Sequence, residues 1–176
     1  MDIFIVEPTA ERNYYTLVTS GMGAHRMNVP KELAEYKLER AEIVVYLPAD
    51  WNISDHEEKN YWPLRWLKIL ARLPLEEDSW LGWGHSVPNG KPFAENTQLS
   101  SVLLINPENV EEGAAVCQLP NGEEVNFYQM IPLYEEEVNF KIQNGAETLL
   151  GKMGEISAVV DIHRLNVCEG FGRPKE

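Results

Sequence analysis

Strand-like and helical stretches mix in this sequence without a strict β-α-β rhythm. That mixture predicts an α+β fold, a single compact domain over residues 1–176 with a mixed β-sheet flanked by helices. Three observations carry the prediction. Ala41-Glu42-Ile43-Val44-Val45-Tyr46-Leu47 is an apolar run of the kind a buried strand shows. Pro120-Asn121-Gly122-Glu123 divides two further strand-like runs, and Asn-Gly is the strongest short hairpin signal. Between these, Trp62, Trp66, Ile69, Leu70 and Leu73 recur at steps of three and four, as on the apolar side of a helix.

Taken in order, Ile3–Glu7 is a short β-rich run stopped by Pro8. Arg12–Ser20 is dense in β-branched and aromatic residues and ends at Gly21-Met22-Gly23, which predicts a strand and a turn. Asn28-Val29-Pro30 opens a loop, and the buried strand Arg40–Leu47 halts at Pro48. Ser54 with Glu57, and Asp55 with Glu58, have the spacing of a capping box. The helix after them is expected to break or restart at Pro63 and to end before Pro74, because proline removes a helical N–H. Leu99–Ile105 reads as a strand, and Ala114–Leu119 with Glu124–Ile131 as the hairpin. Tyr134–Gln143 and Ala146–Met153 read as helices divided by Asn144-Gly145, Ile156–His163 as a last strand, and Gly170–Glu176 as a flexible tail.

Composition narrows the function classes. Twenty-eight acidic against 15 basic residues leave a formal net charge of −13. Such a surface repels phosphate backbones and lacks the basic clusters that counterion release requires, so nucleic acid and anionic membrane are poor partners. A basic protein is a good one, since complementary fields speed association; plain solubility explains the same charge equally well. Cys117 and Cys168 form neither a disulfide framework nor a CxxC thiolate site, which makes a reduced, cytoplasmic setting the default. No apolar run approaches the roughly 20 residues that span a bilayer.

Catalytic signatures are missing. There is no GxSxG, neither cysteine has a neighbouring base, and Gly21-Met22-Gly23 and Gly82-Trp83-Gly84 do not extend to GxGxxG or a P-loop. Of four histidines, only His163 has a close carboxylate, Asp161. On a strand the two would share a face and could serve a metal or a general base, which leaves a small hydrolase as a rival reading. No third ligand is in sight, so neither metal nor cofactor is expected. Glu135-Glu136-Glu137 and Glu76-Glu77-Asp78 read as solvated faces or helix N-terminal charges. Arg65, Lys68 and Arg72 read as the wet side of the helix that carries Trp66 and Leu70.

The stretch Trp80-Leu81-Gly82-Trp83-Gly84-His85-Ser86-Val87-Pro88-Asn89-Gly90 stands apart. Two indoles set among glycines before a proline turn read equally as a packed corner and as a binding surface. As a binding surface, Trp80, Trp83 and His85 form the contact cluster with Asp50 and Trp51 as neighbours. Trp83 would then be the anchor and His85 a donor to a partner carbonyl. A third possibility is an oligomeric structural domain whose indoles fill a self-interface.

The order of several pieces resembles the suppressor-of-fused-like family in its short bacterial form. They are Tyr14–Met22, Ala41–Trp51, Trp62–Pro74, Trp80–His85, Phe93 and Val125–Leu133, followed by the Glu-rich helix; together they run from Arg12 to Met153. The resemblance implies an α+β domain without enzymatic activity. The animal relatives are two-lobed regulators that clamp a partner peptide as an added strand, and bacterial members are suggested to be immunity proteins that neutralise toxins by direct binding. This sequence matches only the N-terminal lobe. Gly84 stands where the animal motif has an acidic residue before the histidine matching His85. The family usually carries a helical segment before its first strand, and its absence here leaves room for a missing upstream piece. The implied partner is a protein, either a toxin domain or an extended peptide segment.

Overall fold

The apolar run at residues 41–47 is buried along its length because Ile43, Val45 and Leu47 pack under the helix that carries Trp62 and Trp66, while Val44 and Tyr46 are covered on the other face by Ala158 and Val159. The computed structural model describes residues 1–154 and 158–172. Among them, seven strands form one sheet: β1 (Asp2–Val6), β2 (Tyr14–Ser20), β3 (Ala41–Pro48), β4 (Ser86–Pro88), β5 (Ser101–Ile105), β6 (Val116–Gln118) and β7 (Glu124–Leu133). Their order is β1-β2-β3-β7-β5-β4, with β6 paired to the start of β7. The β3–β7 pair is parallel and the other pairs are antiparallel, so the sheet is mixed.

Among the described residues, three α-helices complete the α+β domain, α1 (Glu58–Glu76), α2 (Glu135–Asn144) and α3 (Ala146–Met153), together with a 3-10 helix at Lys31–Tyr36. Side chains alternate along a strand, so the central strands bury residues on both faces of the sheet. Leu17, Ile43, Val45, Leu47, Val102, Leu104 and Met130 point to the α1 side and pack with Trp62, Trp66, Leu67 and Leu70. Leu103, Ile105, Ile131 and Leu133 point the other way and meet Val138, Leu149 and Met153 of α2 and α3. The indole of Trp62 stacks on Phe93 at 4.6 Å, and Trp66 meets the same ring edge-on at 5.2 Å.

The helix α1 corrects two expectations. It neither breaks at Pro63 nor stops before Pro74; both prolines lie inside it and both are buried. A helix-interior proline costs about 3 kcal/mol, and burial of Trp62, Trp66, Leu67 and Leu70 outweighs that local preference. The capping box does not form either. Glu57 precedes the helix without a side-chain cap, and Asp55 instead accepts the Glu57 N–H at 2.9 Å and the Asn60 amide at 2.7 Å. The exposed side is as expected, with Arg65 paired to Glu58 and Lys68 donating to the Tyr61 hydroxyl at 2.8 Å.

The hairpin forms at Asn121-Gly122, where the Gly122 N–H meets the Leu119 carbonyl at 2.9 Å. The expected last strand does not form in the described part of 156–163: residues 156 and 157 lie outside the described residues, and beyond them one parallel bridge joins Val159 to Tyr46. Asp161 accepts the His163 N–H at 2.9 Å in a turn, so the two side chains do not share a strand face. Of the expected tail, Gly170–Gly172 lie in a turn and residues 173–176 are outside the described residues.

Candidate functional site

The segment after α1 folds into an aromatic corner against the end of the sheet. The Trp80 ring abuts Gly82, where an added Cβ would come within 2.6 Å of the indole. His85 meets Trp80 edge-on at 4.3 Å. Gly84 adopts φ +80°, a conformation glycine reaches without strain, and its N–H reaches the Leu104 carbonyl at 2.7 Å. The Leu104 N–H in turn donates to the His85 carbonyl at 2.9 Å. Both glycines are therefore accounted for by the packing of this corner.

One side chain is left over. Trp83 is 40% exposed, while Leu81 beside it is buried. His85 is half-buried, and burial pushes its imidazole below the ordinary histidine range; a hydrogen bond with the Trp80 backbone opposes this shift and the Lys141 ammonium adds to it. Lys141 reaches across from α2 to donate to the Ser86 hydroxyl at 3.2 Å, and burial pulls its own pKa down.

The corner leads straight into β4, a strand that three residues and a proline left unreadable in the sequence. Because β4 ends the sheet, its outer edge has no strand partner among the described residues. His85 and Asn89 bond inward to β5, which by alternation turns the Ser86 N–H and C=O and the Pro88 C=O outward.

Asp50 and Trp51 do not join this cluster, which corrects the expectation that they are its neighbours. They follow the C-terminal end of β3, whereas Trp80–His85 precede the N-terminal end of β4. The two strands run in the same direction with β7 and β5 between them, so the groups lie at opposite ends of the sheet. Trp51 instead packs edge-on to Trp62 at 6.2 Å and donates to the Asn60 carbonyl at 2.9 Å. Asp50 and Trp51 share a pocket of about 370 Å³ with Lys59, Asp161 and His163. Among the described residues, no three His, Cys, Asp or Glu side chains come together as metal ligands.

Sequence reasoning passed over the buried carboxylates Glu42, Glu136 and Glu137. Glu137, read as part of a solvated acidic run, is fully buried and held by Arg164 through both oxygens, at 2.5 and 2.6 Å. It also accepts the Tyr134 and Val167 N–H groups at 3.0 and 3.1 Å, pinning the segment after residue 158 to α2. Glu42 accepts the Thr19 hydroxyl at 2.5 Å and the N–H groups of Gly21 and Gly23 at 2.8 and 2.9 Å. The signal for Glu42 was available: a single charge inside an otherwise apolar strand implies a buried partner.

A mixed sheet between helical layers, with an aromatic corner at one free edge, defines a small α+β scaffold. The suppressor of fused protein (SUFU) family model matches residues 1–165, and the chain belongs to that family. It is 27% identical over 164 residues to the uncharacterized protein UU111 of Ureaplasma parvum, covering 93% of this chain and 77% of that one. Its fold is similar to a SUFU homologue from Neisseria gonorrhoeae, with TM-score 0.66, 20% identity and coverage of 94% of this chain and 76% of the homologue. It is also similar to a chain of the Sufu–Fu complex (TM-score 0.63, 15% identity, 94% and 75% covered). Drosophila Suppressor of Fused gives TM-score 0.64 at 15% identity, and there the chain spans 42% of the longer protein.

Proposed function

We propose that this chain is a non-enzymatic protein-binding domain, and that it acts in the cytoplasm as an immunity protein that neutralises a toxin domain by direct binding. The observation that carries the reading is the edge of β4, which has no strand partner among the described residues, with the exposed Trp83 indole at its head. An extended segment can add to such an edge through main-chain hydrogen bonds, with side-chain contacts giving selectivity. Exposed tryptophan on a rigid corner is the residue type that most often anchors an interface. The net charge of −13 favours a basic partner, which suits a toxin that acts on nucleic acid. Further support comes from the neighbour solved as the Sufu–Fu complex, a member of the fold in contact with another protein.

The reading is tested by pull-down and titration with a toxin domain encoded beside this chain. Trp83→Ala is expected to weaken binding at least about tenfold, and His85→Ala by less, as an anchor and its neighbour do. Unchanged affinity in both variants removes the site.

A further inference from the structure

Past Pro88, the edge of β4 opens into a groove of about 710 Å³ between α2 and residues 164–169. Leu165, 85% exposed, and Ile142, 70% exposed, are the two most exposed large apolar side chains among the described residues, and both line this groove. Singly scattered apolar residues on a surface need no explanation, but a pair flanking one concavity does. The polar lining is acidic. Glu135 and Glu169 stand against Lys91, since the charge of Arg164 is cancelled by Glu137.

The wall of the groove is fixed before anything binds. Arg164 is held by Glu137 and by the Pro132 carbonyl at 2.8 Å, and the Asn166 amide donates to Glu136 at 3.0 Å. A site preorganised in this way loses little entropy on binding. Its volume falls in the range of roughly 300–1,000 Å³ typical of pockets that enclose a ligand group.

We infer that this groove takes an extended segment of a partner protein in which a lysine or arginine adjoins a bulky apolar residue. The inference rests on the protein-binding reading above and adds to it the chemistry of the bound segment. The apolar residue packs between Ile142 and Leu165, and the cationic head lies beside Glu135 and Glu169. Pro88 and Gly90 line the mouth, so a strand added to β4 runs directly into the groove.

The probe is a fluorescein-labelled ten-residue peptide alternating leucine and lysine, titrated into the intact chain by anisotropy. Saturable binding is expected, weakened at least tenfold by Ile142→Asp with Leu165→Asp and several-fold by Glu169→Lys. Glu77→Lys, which changes the net charge equally outside the groove, is expected to leave it within twofold. Equal binding of a leucine–glutamate peptide, or no loss in the groove variants, overturns the inference. So does a concentration-dependent dimer of this chain that Ile142→Asp abolishes, since a second copy would then be the occupant. Toxin capture that fails while the lysine peptide still binds the groove counts against the immunity reading alone.

Discussion

Two Gly-x-Gly turns in this molecule have the same pattern and opposite fates. In Gly21-Met22-Gly23 the central methionine is buried, and both glycine N–H groups are spent on the Glu42 carboxylate. A loop that resembles an anion cradle in sequence is thus filled by the chain's own anion. In Gly82-Trp83-Gly84 the flanking residues are equally committed to packing, yet the central indole faces solvent. The contrast teaches that glycine spacing reports a tight corner in both cases, and that the middle residue decides whether the corner is closed or presents a surface.

The largest effect that would break this comparison is loss of the internal anion. Glu42→Ala leaves the Thr19 hydroxyl and two N–H groups without their acceptor, and is expected to cost about 3 kcal/mol in urea unfolding. A cost near zero would mean that the first turn is not closed in the way described. Gly82→Ala comes next, at about 2 kcal/mol, because its Cβ would overlap the Trp80 ring and force a shift in a packed corner. Trp83→Ala is expected to change stability by no more than about 0.5 kcal/mol while reducing partner affinity. A large stability loss there would make the second turn as structural as the first.

The smallest effect concerns pH. His85 has a pKa below its unfolded value because burial disfavours the charged ring. The unfolded chain therefore binds the proton more readily, so stability is fully present above about pH 6.5 and declines as pH falls through the folded pKa. His85→Asn should flatten that decline in thermal melts between pH 7 and pH 5. An identical slope in both proteins would remove the role of burial.

Strongly periodic elements were legible from the residues. Trp62, Trp66 and Leu70 placed the apolar face of α1, and Asn121-Gly122 placed the hairpin, since in each case local chemistry and tertiary packing agree. Sequence misled where packing overrides local preference. Pro63 and Pro74 looked like breaks, yet their burial holds them inside the helix. Glu137 looked solvated because its partner, Arg164, lies 27 residues away, beyond any local pattern. β4 is too short for alternation to show, and with it went the free edge that defines the site. Trp51 and Trp83 could not be separated without strand order, because only the sheet's topology sends them to opposite ends. Ile142 and Leu165 carried no signal in a polar context, and their meaning comes from the groove they share.

The measurement that tests the central idea most directly is hydrogen–deuterium exchange of this chain with and without a bound toxin domain. The account predicts slowed exchange at the amides of Trp83 through Val87, with the β1 edge unchanged. Binding that protects β1 and leaves the aromatic corner and β4 exchanging as before would contradict it.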